Sequence, residues 1–83
     1  IDPSNTVRLT ITYPKSVGRN FTEILRALDA LQATDRSPIS TPAEWVPGDR
    51  VIVAPAIATD DARERFANVD EVKPYLRFAD APA

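Results

Sequence analysis

The sequence contains no cysteine, no histidine and no methionine, and it has two glycines against eight prolines. Without cysteine there is no disulfide scaffold, no thiolate metal site and no cysteine nucleophile within these 83 residues. Without histidine the usual general base and the usual zinc ligand are missing too. Any catalysis in which the protein takes part is therefore expected to draw its central group from outside this chain. Apolar runs are all short, so neither a membrane span nor the core of a signal peptide is present. Ten basic and twelve acidic residues leave a net charge of −2, which provides no footprint for nucleic acid or an anionic membrane. With no signal core and no disulfide scaffold, the expected location is the cytoplasm. Neither a cofactor nor a metal is expected.

What is present is globular in composition but thin in core. Apolar residues make 43% of the chain, yet twelve of them are alanine, and Val, Ile, Leu and Phe together number twenty-one. Surface scaling for a chain of this size buries only ~63% of the unfolded surface. One small domain is the most that such a length supports.

Thr6 to Tyr13 alternates, with Val7, Leu9, Ile11 and Tyr13 on one side and Arg8, Thr10 and Thr12 on the other. This pattern predicts a half-buried strand over 6–13, ended by Pro14. Asp2-Pro3-Ser4-Asn5 is turn chemistry, which makes Ile1 the expected tail of a preceding strand. Asn20 is a good N-cap, and Glu23 stands at capping-box spacing from it. Phe21, Ile24, Leu25, Leu28 and Leu31 then form one apolar stripe, predicting a helix over 21–34 that fades before Pro38.

From Ser37 the chain is cut into short pieces by Pro38, Pro42, Pro47 and Pro55. Thr41-Pro42-Ala43-Glu44 predicts a single helical turn at most, and Pro47-Gly48-Asp49 a turn. Val51-Ile52-Val53 reads as a short buried strand, and Thr59-Asp60-Asp61 opens a short helix through Phe66. Val72 to Phe78 is the last predicted strand, with Pro74 confining it to an edge or a bulge.

Arg19 is the most informative candidate for chemistry. It sits between Gly18 and the cap Asn20, where the helix dipole disfavours a cation, so its charge has reason to meet an anion there. The bland alternative is a surface arginine reaching a nearby carboxylate. Asp60, Asp61, Glu64, Asp70 and Glu71 lack the spacing and the glycine of a calcium loop and read as a solvated face. Trp45, Tyr75 and Phe78 read as packing anchors. Arg63, Arg65, Lys73 and Arg77 are balanced by neighbouring acids.

The stretch Leu9-Thr10-Ile11-Thr12-Tyr13-Pro14-Lys15-Ser16-Val17-Gly18-Arg19-Asn20-Phe21 resembles the peroxiredoxins, specifically the 1-Cys type. The resemblance continues through Glu23-Ile24-Leu25-Arg26, Thr41-Pro42-Ala43-Glu44-Trp45, Pro47-Gly48-Asp49 and Lys73-Pro74-Tyr75-Leu76-Arg77-Phe78. It implies an α+β or α/β arrangement belonging to the C-terminal part of a longer enzyme. Residues 1–35 would be the last strands and last helix of a thioredoxin-like fold, and residues 36–83 a small mixed α/β C-terminal domain. Arg19 would be the second arginine of the peroxide pocket, with the peroxidatic cysteine in the N-terminal remainder of the protein. Thr41 stands where typical 2-Cys relatives begin the segment with their resolving cysteine, so an external thiol reductant is implied.

The resemblance further implies a homodimer or higher homo-oligomer, built on the strand bearing Val7, Leu9, Ile11 and Tyr13. An edge strand with Arg8 as its single charged guard suits such pairing. The reading kept open beside the thiol peroxidase is a non-catalytic interface module. That module would dock onto a partner chain through exposed apolar surface.

Overall fold

A computed structural model describes residues 1–82. Its elements are α1 (Phe21–Arg36), β1 (Ile39–Ser40), β2 (Val51–Val53), α2 (Thr59–Arg65), β3 (Asp70–Lys73) and β4 (Leu76–Ala79). The strands form one antiparallel sheet in the order β1-β2-β4-β3. Mixed helix and antiparallel sheet agree with the fold class expected.

The N-terminal stretch departs from expectation. Residues 6–13 carry no strand pairing, and Ile1 is fully open rather than the tail of a strand. Alternation sets which side each side chain takes, but a strand also needs a neighbour to accept its ladder bonds. No described segment supplies that neighbour. The turn before it does form. Asp2 accepts from the Ser4 hydroxyl (2.7 Å), the Ser4 N–H (2.9 Å) and the Thr6 N–H (3.0 Å). The Ser4 hydroxyl first and the Thr6 N–H next hold the Asp2 carboxyl down to about 2. A carboxyl whose folded value is depressed contributes stability above its usual value of 3.8 and loses it as pH falls through its folded value. The turn is therefore expected to persist down to about pH 4 and to open progressively from there to about pH 2. The Thr6 amide shift followed by NMR through an acid titration checks this; a midpoint near 3.8 contradicts it.

Helix α1 starts where the cap predicts and runs to Arg36, two residues past the expected end. Near its C-terminal end Ala33 packs against Ile39, Trp45 and Val51. The leucine stripe behaves differently. Phe21 is 70% exposed, Leu25 61% and Leu28 48%, because the described residues offer no sheet to cover that side. α1 thus has one face seated on the C-terminal sheet through Ala30 and Ala33, and a second, larger face bare.

The sheet holds the packed core. Val51 and Val53 are buried on β2, facing Ala79 on β4 and Ile39 on β1 through the registers Val51↔Ala79 and Ile39↔Val53. Ala62 of α2 and Phe66 close this side. Thr41–Trp45 closes as one turn, the Trp45 N–H donating to Pro42 O at 3.2 Å, with Glu44 left-handed at φ 64°. Gly48 holds φ 101° in the following turn, a conformation side-chain-bearing residues rarely adopt.

One predicted strand is two. Val72 to Phe78 folds as a hairpin, β3 and β4 joined at Pro74-Tyr75 with a register shift between Glu71 and Lys73. Proline fixes its φ and lacks an N–H, so it serves a tight connection better than a strand interior. The split changes the parity of the last strand. Read as one strand, the apolar positions 72, 76 and 78 point inward; in the hairpin Arg77 and Ala79 are buried instead.

Candidate functional site

The residues before α1 and the start of α1 define the site. Asn20 takes an extended backbone (φ −103°, ψ 100°), and its side chain accepts from the Glu23 N–H at 3.1 Å. That is half of the capping box. The other half, a Glu23 carboxylate reaching back to the Asn20 N–H, does not form, because Arg26 holds both carboxylate oxygens at 2.7 and 2.8 Å. The pair lowers the Glu23 carboxyl and raises the Arg26 guanidinium, in each case chiefly through that hydrogen bonding. The remaining Arg26 nitrogen donates to Trp45 O at 2.9 Å.

Arg19 lies next to the cap and is exposed. Its guanidinium carbon stands 5.9 Å from the centroid of the Tyr13 ring, within cation–π range. Among the described residues it makes no ion pair, so the bland alternative of a carboxylate partner finds no support. Between residues 1–13 and α1 lies an open cavity of about 500 Å³, with Arg19 and Tyr13 at one end. Leu9, Ile11, Ile24, Leu28 and Leu31 line its apolar wall. At the other end Arg8 donates to Asp35 at 2.7 and 3.2 Å and to Asp2 at 3.4 Å, tying the N-terminal stretch to α1. Of the four residues expected on a dimer strand, Leu9, Ile11 and Tyr13 face this cavity, and Val7 is exposed outside it.

Away from this site, Trp45 is a buried anchor, as expected, its indole N–H donating to Asp49 O at 3.0 Å. Phe78 is half-buried beneath Arg50, 5.8 Å from its guanidinium. Tyr75 is 70% exposed and anchors nothing, since it sits at the tip of the hairpin. Asp60 and Asp70 face Arg63 and Arg50, and the described residues gather no metal-binding group of acids.

Arg77 overturns its expectation. It is 1% exposed and, among the described residues, makes no ion pair, although Glu71 is its register partner on β3. Its guanidinium donates instead to Thr59 Oγ1 (2.8 Å), Ala54 O (3.1 Å) and Ile57 O (2.6 Å), while its Nε has no partner. The signal that could have found it is the Pro74-Tyr75 turn, since a hairpin there places 77 and 79 on one inward face.

Residues 30–68 match the family profile of the C-terminal domain of 1-Cys peroxiredoxin. The mitochondrial peroxiredoxin PRX1 of Saccharomyces cerevisiae is 50% identical over 78 residues, 94% of this chain and 30% of that protein. A 1-Cys peroxiredoxin of Dictyostelium discoideum is 43% identical over 83 residues, 99% of this chain and 34% of that one. Among solved structures, a yeast mitochondrial 1-Cys peroxiredoxin superposes with a TM-score of 0.91 at 49% identity, covering 96% of this chain and 38% of that one. That structure concerns thiol resolution through glutathione/thioredoxin systems. The chain thus spans about a third of the length of the relatives it matches. The cytoplasmic expectation is overturned by the 50% identical mitochondrial relative. A lack of cysteine and of an apolar span suits an organelle matrix as well as the cytoplasm, so neither carries compartment information.

Proposed function

The chain belongs to the 1-Cys peroxiredoxin family, and from that premise we propose that it forms part of a thiol peroxidase reducing hydrogen peroxide or alkyl hydroperoxides. The supporting observation is Arg19, unpaired beside the α1 cap and stacked on Tyr13. Residues 1–35 would belong to the peroxidase domain and residues 36–83 to the family's C-terminal domain. The peroxidatic cysteine comes from outside these 83 residues.

In the reaction a cysteine thiolate attacks one peroxide oxygen. An S–O bond forms as the O–O bond breaks, sulfur is oxidised to sulfenic acid, and the departing oxygen takes a proton to leave as water or alcohol. Arg19 favours the thiolate and donates to the oxygen on which charge develops. An external thiol of the glutathione or thioredoxin class then condenses with the sulfenic acid, releasing water, and a second thiol frees the cysteine. The extended stretch 6–13 pairs antiparallel with a copy of itself, its ladder groups having no neighbour among the described residues. An interface module alone accounts for the bare face of α1 but leaves Arg19 without a purpose.

The test uses the polypeptide that carries both this segment and the cysteine. It should consume one equivalent of peroxide per cysteine, leave a dimedone-trappable sulfenic acid, and turn over when external thiol is supplied. Peroxide consumption no faster than that of a free thiol overturns the proposal.

A further inference from the structure

Tyr13 and Arg19 meet because the chain turns between them. The Val17 N–H donates to Pro14 O at 3.0 Å, which closes a turn over 14–17. Asn20 then caps α1, so Arg19 sits between two features that local chemistry fixes. Alternation puts Leu9, Ile11 and Tyr13 on the side that lines the cavity of about 500 Å³, and Arg19 lines the same cavity. Arg19 is exposed and, among the described residues, makes no ion pair. Its guanidinium carbon stands 5.9 Å from the centroid of the half-buried Tyr13 ring. An exposed arginine has many rotamers of similar energy, and a ring face that attracts the cation favours those lying over it.

We propose that Tyr13 is a positioning residue: its ring holds the Arg19 guanidinium at this end of the cavity, set for the reacting oxygens. The inference rests on the reading of Arg19 given above. A donor counts fully toward a transition state only when it already stands where charge will develop. The attraction comes from the face of the ring, so the phenol oxygen has no part in it. The role also leaves the backbone of 6–13 free to pair with a copy, since side chains stand roughly perpendicular to the ladder bonds of a strand.

The experiment uses the peroxidase bearing the cysteine, with the variants Tyr13→Leu, Tyr13→Phe, Arg19→Ala and the double variant Tyr13→Leu/Arg19→Ala. Tyr13→Leu keeps apolar bulk but has no ring face, and it should slow thiolate oxidation by peroxide about three- to fivefold. Tyr13→Phe keeps the face and should stay within about twofold of the parent. With Arg19 already replaced by Ala, Tyr13→Leu should cost nothing further, because the two residues act as one unit.

A second readout is independent of activity. Protons above a ring face are shielded, so NMR of the parent should find the Arg19 δ protons upfield of their random-coil position. They should stay there in Tyr13→Phe and return to random coil in Tyr13→Leu. Tyr13→Leu as fast as the parent, or a further loss on adding it to Arg19→Ala, overturns the proposal. So does Tyr13→Phe as slow as Tyr13→Leu, since the hydroxyl would then be the working group. Should Tyr13→Leu fail to fold, the δ protons in the parent and in Tyr13→Phe decide: random-coil positions in either overturn it. If Arg19→Ala proves harmless, the peroxide reading fails, and the proton shifts alone then judge whether the ring holds Arg19.

Discussion

Replacing Arg19 by alanine in the cysteine-bearing peroxidase is expected to slow peroxide reduction by about 2–4 kcal/mol of transition-state stabilisation, roughly 30- to 1,000-fold. That is the loss when a direct donor to a developing oxyanion is removed from a prepared site. Arg19 is suited to the role because it makes no ion pair among the described residues and stands within cation–π range of the Tyr13 ring. Arg19→Lys should recover part of the loss, since the charge survives and the planar fork does not. If Arg19 acts only through its field at a distance, the loss shrinks to about 1 kcal/mol. The measurement is the second-order rate constant for peroxide together with the thiol pKa. A folded Arg19→Ala variant with both unchanged would remove the residue from the site.

The second large effect concerns stability. Arg77→Ala should cost about 3–5 kcal/mol, because it strips donors from the Thr59 hydroxyl and the Ala54 and Ile57 carbonyls at once and leaves a void. Those three acceptors belong to the turn after β2 and to the start of α2, while the guanidinium belongs to β4. One side chain therefore closes three parts of the domain on one another. A buried cation without a carboxylate also has a desolvation cost, which an apolar side chain of similar length would not have. The two variants Arg77→Lys and Arg77→Met separate the contributions. If the hydrogen bonds dominate, Lys is the milder change and Met is intermediate between Lys and Ala. Chemical denaturation ranks them, with Trp45 fluorescence as the signal. Met as stable as the parent would mean that the cation is a burden the fold tolerates.

How much of this was open to reading from the sequence depends on how local each decision was. The α1 cap is local. Asn20 accepts from an N–H three residues on, so its identity and spacing suffice, and the helix begins where they say. Val51–Val53 and Thr59–Arg65 are likewise short runs marked by local signals, a turn before the strand and acids in the first turn of the helix, and both lie within a residue of expectation. The motif around Gly18-Arg19-Asn20-Phe21 carried the resemblance, since it is a contiguous pattern, while the family profile itself matches residues 30–68.

What the tertiary structure decided is everything that depends on a partner distant in sequence. Residues 6–13 have the alternation of a strand and, among the described residues, lack the neighbour that would make them one. The capping box at Glu23 has the right spacing, yet its carboxylate goes to Arg26, which is itself held by a carbonyl nineteen residues away. Arg77 was expected to be balanced by neighbouring acids, yet the turn at Pro74-Tyr75 sets the parity of β4 and puts it on the buried face. Sequence patterns encode preferences of the backbone over a few residues. Which group finally satisfies a donor, a carboxylate or an apolar face is settled by the competition among all groups that folding brings within reach.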